Sequence, residues 1–204
     1  MEVILLSYNA PNLKEISEKL RHFSFTFLVD GISRACSHQL VRHRPASYSQ
    51  QSQRYVSMEN FPYVKPKSLE GVRVSVEGKD YNYNDVMELL GKVYSKFVEA
   101  GVSKEDARFV LPNACTTRVL FTMNGEELVH FLRLRTCSRA QWEIRGMAIK
   151  MLIELRKKFP ELFKNVGPNC YYLGYCTEGK KSCGRPDEVR EFFKNLEEVN
   201  VQNN

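Results

Sequence analysis

Side chains that could bind an anion are densest between residues 39 and 54, a stretch rich in Arg, His, Ser and Gln. Arg presents a rigid fork of donors that matches phosphate and carbonyl oxygens, and Ser adds a hydroxyl donor. Gln39, Arg42 and His43 are spaced i, i+3 and i+4, so a helix would place them on one face. Pro45 disfavours helix at the arginine before it and predicts a loop that could surround an anion. A polar surface loop is the alternative interpretation.

Two later arginines also occur in patterns that suit a ligand site. Arg108 follows Glu105 by three residues, a spacing at which a local ion pair would fix the arginine while its fork faces a ligand. Arg135 keeps its charge at any working pH. Beside a ligand it would stabilise negative charge that develops during a reaction. A surface helix arginine is the alternative for Arg135.

Hydrophobic periodicity predicts the elements that must position these residues. The chain has both strand-like and helix-like patterns, which indicates an α+β fold. We expect a single domain in which a mixed or antiparallel sheet packs with helices, with one long helix in the later half. Strands are predicted at Val3–Ser7, as a buried strand, and at Phe23–Leu28 and Thr116–Met123. Helices are predicted around Leu13–Leu20, Ile32–His43, Val86–Val98, Ser103–Pro112, Leu128–Leu132, Ser138–Lys158 and Pro186–Glu198. Asn124 and Ser103 are predicted N-caps, with Glu127 and Asp106 three residues later.

Length and composition predict one globular domain over residues 1–204, with a tail from about residue 165 that holds three cysteines. The hydrophobic fraction is 43%, and no apolar run is long enough to span a bilayer. Residues Met1 to Tyr8 lack the basic region that begins a signal peptide, so a cytoplasmic location is expected. The net charge of +6 suits anionic ligands, although a solvated basic surface would give the same surplus.

The cysteines do not lead us to predict a metal site. Cys170, Cys176 and Cys183 are spaced by six and seven residues and lack the tight C-x-x-C pair that is typical of zinc ligands. Surface thiols or a disulfide are the alternatives for these three residues.

The string RHRPASYSQQSQR, residues 42–54, resembles the signature of the flavin-dependent thymidylate synthases. The matching positions are Arg42, His43, Arg44, Ser52 and Arg54. Further similar positions are His22 before FSFTF, Gln39, Glu105 and Arg108 in KEDARFVLP, Asn124, and the run LRTCSRAQWEIR at Leu134–Arg145. The resemblance covers roughly residues 20 to 155. The chain departs from the pattern at Gln50, often Glu in the family, at Glu126, sometimes Arg, and at His130, sometimes Asn.

The resemblance implies an enzyme that methylates dUMP to dTMP with FAD, methylenetetrahydrofolate and NADPH. It implies a homotetramer whose active sites are built from several subunits, with no nucleic-acid or membrane partner. None of the cysteines stands in the Pro-Cys-His context of the conventional thymidylate synthases. The rival hypothesis is a non-catalytic module that binds nucleic acid or phosphate through the basic loop.

The resemblance also implies roles for single residues. The catalytic candidates are Arg135, which would activate the uracil, and His22. FAD would contact Ser24, Arg42, His43, Arg44, Gln50, Asn124 and His130. The dUMP would contact Gln39, Leu40, Val41, Arg42, Gln50, Gln51, Ser52, Gln53, Arg54, Arg108 and Arg135.

Overall fold

The structure is a computed structural model that describes residues 1–10, 20–54, 58 and 60–196. Its strands are β1 (Glu2–Asn9), β2 (Ser24–Ser33), β3 (Ala46–Gln50), β4 (Arg73–Val76), β5 (Lys79–Asn82) and β6 (Thr116–Asn124). The helices with bounds inside these ranges are α1 (Arg34–Leu40), α2 (Tyr83–Glu99), α3 (Lys104–Ala107), α4 (Gly125–Arg135), α5 (Trp142–Lys158), α6 (Pro160–Phe163), α7 (Asn169–Tyr172) and α8 (Pro186–Lys194). This mixture of helices and strands confirms the predicted α+β class.

The chain divides into two compact units. The first contains Met1–Val29, Gln39–Ser49 and Leu120–Asn204, and the second contains Asp30–His38 and Gln50–Val119. The main sheet has the strand order β1-β2-β6-β3, and β4 pairs with β5 in a separate antiparallel hairpin. The organisation as one domain remains a prediction.

Aromatic side chains form much of the core of the first unit. Phe23, Phe25 and Phe27 alternate along β2 and are buried, as the period of a strand requires. The Phe27 ring stacks on Phe121 of β6, with centroids 5.8 Å apart, and Phe25 meets Phe163 edge to face at 5.5 Å. Strand β2 was predicted from this alternation and β6 from its β-branched and apolar residues, and both are confirmed.

Strand β1 forms as predicted but is not buried. Ile4, Leu6 and Tyr8 are 37%, 51% and 43% exposed. The strand order places β1 at the edge of the sheet, and α5 packs against it. Val3 and Leu5 are partly covered, whereas Ile4 and Leu6 on the other face are exposed, and the Tyr8 ring meets Phe159 edge to face at 4.7 Å. The apolar run predicted the strand, but it did not reveal that apolar side chains on one face stay exposed.

The second unit is built around α2, whose start is fixed by local hydrogen bonds. The Asn82 side chain accepts from the backbone N–H groups of Asn84 and Asp85, and Asp85 accepts from the Asn82 N–H in return. Buried residues packed together in this unit are Met58, Phe61, Met87, Tyr94, Ala107 and Cys115. The predicted cap of α3 is confirmed, because the Ser103 side chain accepts from the Asp106 N–H.

Several predicted boundaries were wrong. The segment after Pro45 is strand β3 rather than a loop, with alternating side-chain exposure. Helix α1 begins only at Arg34, where the Ser33 hydroxyl accepts from the Cys36 N–H, and it ends at Leu40. Helix α5 begins at Trp142 rather than at residue 138, because the Gln141 side chain caps it. Most of the helix predicted at Leu13–Leu20 lies outside the described residues.

No helix among the described residues is both long enough and apolar enough to cross a bilayer.

Candidate active site

His43 of the signature lies buried in the first unit between a carboxylate and a guanidinium. Its Nδ1 atom is 2.9 Å from Oε1 of Glu127, and its Nε2 atom is 3.0 Å from Nε of Arg135. The imidazole also meets the Phe131 ring edge to face at 4.9 Å. Residues Glu127, Phe131 and Arg135 lie one turn apart along α4, so one helix face supplies all three contacts.

The two hydrogen bonds determine the protonation of His43. Arg135 Nε can only donate, so Nε2 of the imidazole must accept, and the ring proton lies on Nδ1 and is donated to Glu127. Burial lowers the pKa of His43, and the positive charge of Arg135 lowers it further. The bond to Glu127 acts in the opposite direction and raises that pKa. His43 is therefore a neutral acceptor that orients Arg135.

Tyr48 holds the backbone on which His43 sits. Its hydroxyl lies 2.7 Å from the His43 carbonyl oxygen and 3.0 Å from that of Leu40, where it donates. Burial raises the pKa of this phenol, which keeps the donor protonated. Neither Tyr48 nor the carboxylate of Glu127 was predicted as a site residue. Tyr48 lies inside the signature, so its position was the available signal.

The proposed flavin contacts of the first unit differ in exposure. Arg42 and Arg44 are exposed on either side of buried His43, and His130 is exposed with its ring 6.0 Å from that of His43. Asn124 caps α4 by accepting from the Glu127 N–H, which confirms the predicted cap. Ser24 begins β2 and is half-buried.

The other predicted site residues of the first unit also differ in their exposure to solvent. His22 is exposed at the end of a helical segment, and Phe23 separates it from the start of β2. The Leu40 side chain is fully buried, so its backbone is the part that could meet a ligand. Val41 is exposed, and Gln39 is half-buried at the end of α1.

Gln50 is held in the second unit by two hydroxyl groups. Its amide nitrogen donates to Ser37 Oγ at 2.8 Å and to Thr117 Oγ1 at 3.3 Å. Arg34 Nη1 lies 3.4 Å from both the Thr117 hydroxyl and the Gln51 carbonyl oxygen. The structure thereby groups Gln50 and Gln51 with Arg34, a residue that the sequence analysis missed.

Arg54 and Arg108 converge on Glu105, although not in the way predicted. Arg54 Nη2 pairs with Glu105 Oε2 at 2.9 Å, whereas Arg108 Nε donates to the Glu105 backbone carbonyl at 2.9 Å. The predicted ion pair between Glu105 and Arg108 is therefore wrong, because the carboxylate meets Arg54. The Ser52 hydroxyl accepts from the Arg54 N–H at 3.1 Å, and Gln53 is half-buried between these two residues.

The second unit consequently has a surplus of positive charge around one carboxylate. Burial lowers the pKa of Arg34, and the positive charge of Arg108 lowers it further. Within the described ranges, Arg34 forms no salt bridge. Arg54 and Arg108 both bond to Glu105, and the charge of Arg108 acts on Arg34. This arginine group favours an anion, and bidentate contacts from arginine suit a phosphate.

The residues His43, Glu127 and His130 lie close enough together to share a metal ion. Their geometry does not favour that use. Both ring nitrogens of His43 already have protein partners, and the Arg135 guanidinium beside them would repel a cation. His43 and Glu127 in this group instead orient the guanidinium of Arg135 through hydrogen bonds.

The sequence of the chain matches known proteins over most of its length. The family model described as thymidylate synthase complementing protein matches residues 14–161. A flavin-dependent thymidylate synthase from Geobacter sulfurreducens is 48% identical over 179 residues, which are 87% of this chain and 75% of that protein. One from Clostridium tetani is 42% identical over 186 residues, which are 85% of this chain and 74% of that protein.

The fold is also similar to a solved structure. The structure of a flavin-dependent thymidylate synthase from Helicobacter pylori, complexed with FAD and dUMP, superimposes with a TM-score of 0.63 and 22% identity. The match covers 82% of this chain and all of that chain. The sequence and fold comparisons agree, and the chain belongs to the flavin-dependent thymidylate synthase family.

Proposed function

We propose that this protein is an FAD-dependent enzyme that methylates dUMP to dTMP, with methylenetetrahydrofolate as the one-carbon donor and NADPH as the reductant. Family membership and the names of the relatives support this reaction. The relative of similar fold was solved with FAD and dUMP bound. The observation that carries the proposal is the orientation of Arg135 by a neutral, buried His43.

Arg135 is the residue that would activate the uracil. Negative charge develops on N3 and O2 of the pyrimidine as it attacks an electrophilic carbon, and a fixed guanidinium at that edge stabilises the charge. Preorganised groups of this kind each lower the activation barrier by about 3 kcal/mol. Because His43 accepts from Nε, the plane of the guanidinium is set before substrate binds. His22, exposed before β2, is a second candidate for proton movement.

The arginine group of the second unit would hold the phosphate of dUMP. A nucleotide monophosphate carries nearly two negative charges at neutral pH, and Arg54 with the Ser52 hydroxyl can bind it through charge-assisted hydrogen bonds. Gln50, Gln51, Gln53 and Arg108 are the other dUMP contacts proposed for this unit. From the first unit we propose Gln39, Leu40, Val41, Arg42 and Arg135.

The donors of the signature also fit a flavin dinucleotide. The exposed guanidinium groups of Arg42 and Arg44 suit its diphosphate. Ser24, His43, Gln50, Asn124 and His130 would complete the contacts. When bound, FAD would supply the hydride that completes the methyl group, chemistry that amino-acid side chains do not provide.

We also propose that the protein works as a homotetramer in the cytoplasm, with sites shared between subunits. In the second unit, Phe109 is 82% exposed beside Arg108, and Leu89 and Phe97 are exposed on α2. In the first unit, β1 exposes apolar residues at a sheet edge. Such surfaces favour burial against further copies of the chain, and closed symmetry, most simply D2, is the expected outcome.

The absorption spectrum of the purified protein and its dTMP production test this proposal. We expect flavin absorption near roughly 450 nm with about one FAD per chain. We also expect dTMP formation that requires dUMP, methylenetetrahydrofolate and NADPH together. A colourless protein that takes up no added FAD and binds nucleic acid instead would refute the proposal in favour of the basic binding module.

A further inference from the structure

Four cysteines from two distant parts of the first unit line one small cavity. They are Cys137, Cys170, Cys176 and Cys183, and the cavity volume is about 30 Å³. All four are free thiols in the structure. The sequence analysis considered only the last three of these cysteines together, because Cys137 lies 33 residues before Cys170 in the chain.

Local structure accounts for the convergence of the four side chains. Cys137 lies in the turn between α4 and α5, Cys170 lies in α7, and the other two lie in the loop before α8. Gly174, Gly179 and Gly184 in that region have φ angles of 80°, 52° and 74°, which only glycine adopts without strain. These turns allow the loop to return to the same cavity after each cysteine.

Hydrogen bonds hold the two parts of the cavity wall together. The Asn169 oxygen accepts from Arg133 Nε at 2.9 Å, and its amide nitrogen donates to Thr177 Oγ1 at 2.9 Å. One side chain thereby joins α4 to the start of α7 and to the cysteine loop. The Cys176 thiol lies 3.5 Å from the Ser182 hydroxyl, which orders the loop further.

We propose that Cys137, Cys170, Cys176 and Cys183 bind one Zn²⁺ ion in a tetrahedral site with four sulfur ligands. Four thiolates are the ligand set of many structural zinc sites, with Zn–S distances of about 2.3 Å. The cavity has room for one ion, although the four sulfur atoms lie farther apart than they would in a formed metal site. Binding would draw the four sulfur atoms around the ion, and the thiol protons would be released to solvent.

The charges around the cavity suit such a site. A Zn²⁺ ion with four thiolates carries a net charge of −2, so nearby cations stabilise it. Arg133 and Arg139 line the cavity together with the four cysteines, and Glu178 is the one carboxylate among the described residues of its wall. Two guanidinium-bearing residues therefore lie beside the ligands.

The site would fasten the segment after residue 169 to the end of α4. Cys137 follows Arg135 by two residues, so the ion would fix the chain immediately after the proposed activating arginine. The site is structural in this interpretation: all four coordination positions are filled by protein, and none is left for a substrate. The proposal does not depend on the reaction that the protein catalyses.

Metal analysis of the full-length protein tests the proposal. We expect about one zinc per chain after purification without chelators, or after addition of Zn²⁺ alone to protein stripped of metal. Co²⁺ in place of zinc should give the intense visible bands of a tetrahedral thiolate site. Loss of a residue that only supports a ligand already weakens metal binding by roughly 10- to 100-fold. Changing any one of the four cysteines to serine should therefore weaken Zn²⁺ binding by more than about 100-fold.

Cys115→Ala is the matched control, because Cys115 is a buried free thiol of the second unit and should leave the zinc content at one per chain. If the serine variants fail to fold, thiol modification of the unaltered protein provides the test. Zinc should protect four of the six cysteines from modification, and a chelator should expose them. Absence of stoichiometric zinc, iron with sulfide in its place, or disulfides between these cysteines would each overturn the proposal.

Discussion

Arg135 donates a hydrogen bond from Nε to the Nε2 atom of His43 over 3.0 Å, although 92 residues separate them in the sequence. The signature histidine therefore faces a protein guanidinium, and its other nitrogen faces Glu127. This arrangement assigns His43 a positioning role, because it restricts Arg135 to orientations in which Nε points at the imidazole.

Arg135→Lys should retain the fold and the flavin but lose most turnover. Lysine keeps the charge, so bulk electrostatics alone would predict a mild effect. It cannot donate to His43 and present a planar fork at the same time. Loss of one preorganised group costs about 100- to 1,000-fold in kcat, and this is the expected range. Steady-state dTMP formation, with flavin content measured first, checks the prediction.

Arg139→Lys is the control, because Arg139 is exposed and lies four residues further along the chain. Its turnover should remain close to that of the unaltered protein. A fall in kcat for Arg135→Lys would indicate a contact that strengthens in the transition state, whereas a rise in KM alone would indicate ground-state binding of dUMP. Near-normal turnover of Arg135→Lys would contradict the proposed role.

Substitutions of Glu127 should separate the charge of this carboxylate from its hydrogen bond. The Glu127 side chain is 11% exposed and accepts from buried His43. In Glu127→Gln the amide oxygen can still accept, so we expect a loss of about 1 kcal/mol in the free energy of unfolding. Glu127→Ala leaves a buried N–H without an acceptor and should cost roughly 1–3 kcal/mol. Urea unfolding at fixed FAD concentration measures both values.

The neighbouring Glu126 provides the comparison for these variants. It pairs with Arg21, and both side chains are largely exposed, so Glu126→Gln should change the free energy of unfolding by no more than about 1 kcal/mol. An equal loss in Glu126→Gln and Glu127→Gln would show that the His43 contact adds nothing specific.

His43 should also make stability depend on pH. Its pKa in the folded protein lies below the unfolded value of about 6.5, mainly because of burial. The unfolded chain therefore binds a proton that the folded protein resists. The contribution of neutral His43 is fully present above the unfolded pKa and is lost as pH falls through the folded pKa.

His43→Gln removes this titration and keeps a polar side chain at the site. Between about pH 7.5 and pH 5, the unaltered protein should lose more unfolding free energy than the variant does. The difference between the two urea-unfolding series isolates His43, because the other titrating groups are common to both. Parallel pH profiles would contradict the lowered pKa.

Local sequence signals predicted the elements but not the contacts across the site. Strand β2, strand β6 and the Asn124 cap were predicted because alternation, β-branched composition and capping act over a few residues. Strand β3 was missed because a short run of ASYSQ acquires its conformation from its partner strand rather than from its own composition.

The least predictable property was which side chains pair with one another within the chain. Glu105 lies three residues from Arg108 but pairs with Arg54, which is 51 residues away. Arg108 does turn back to residue 105, but its Nε donates to the Glu105 backbone carbonyl, and the carboxylate is left to the distant Arg54. The distances between His43, Glu127 and Arg135 likewise depend on the packing of α4, which no local pattern encodes.

Arg54→Ala should weaken dUMP binding without displacing FAD. A charge-assisted contact to phosphate contributes roughly 1.5–3 kcal/mol, which corresponds to a loss of about 10- to 150-fold in affinity. Binding should also become less sensitive to salt, because one cationic contact to the phosphate is lost. Titration of dUMP into the flavin-loaded protein at two salt concentrations measures both effects. Unchanged dUMP affinity would show that this group binds a different ligand.

Two matched variants separate the phosphate contact from general charge and from stability. Arg73→Ala removes an exposed arginine of β4 in the same unit, so it should leave dUMP affinity almost unchanged if the effect of Arg54 is local. Glu105→Gln removes the carboxylate that pairs with Arg54. Both members of that pair are close to half exposed, so the free energy of unfolding should change by no more than about 1 kcal/mol. A large loss of stability in Glu105→Gln would mean that the Arg54 pair is a structural contact, and that weaker dUMP binding in Arg54→Ala reports unfolding rather than phosphate recognition.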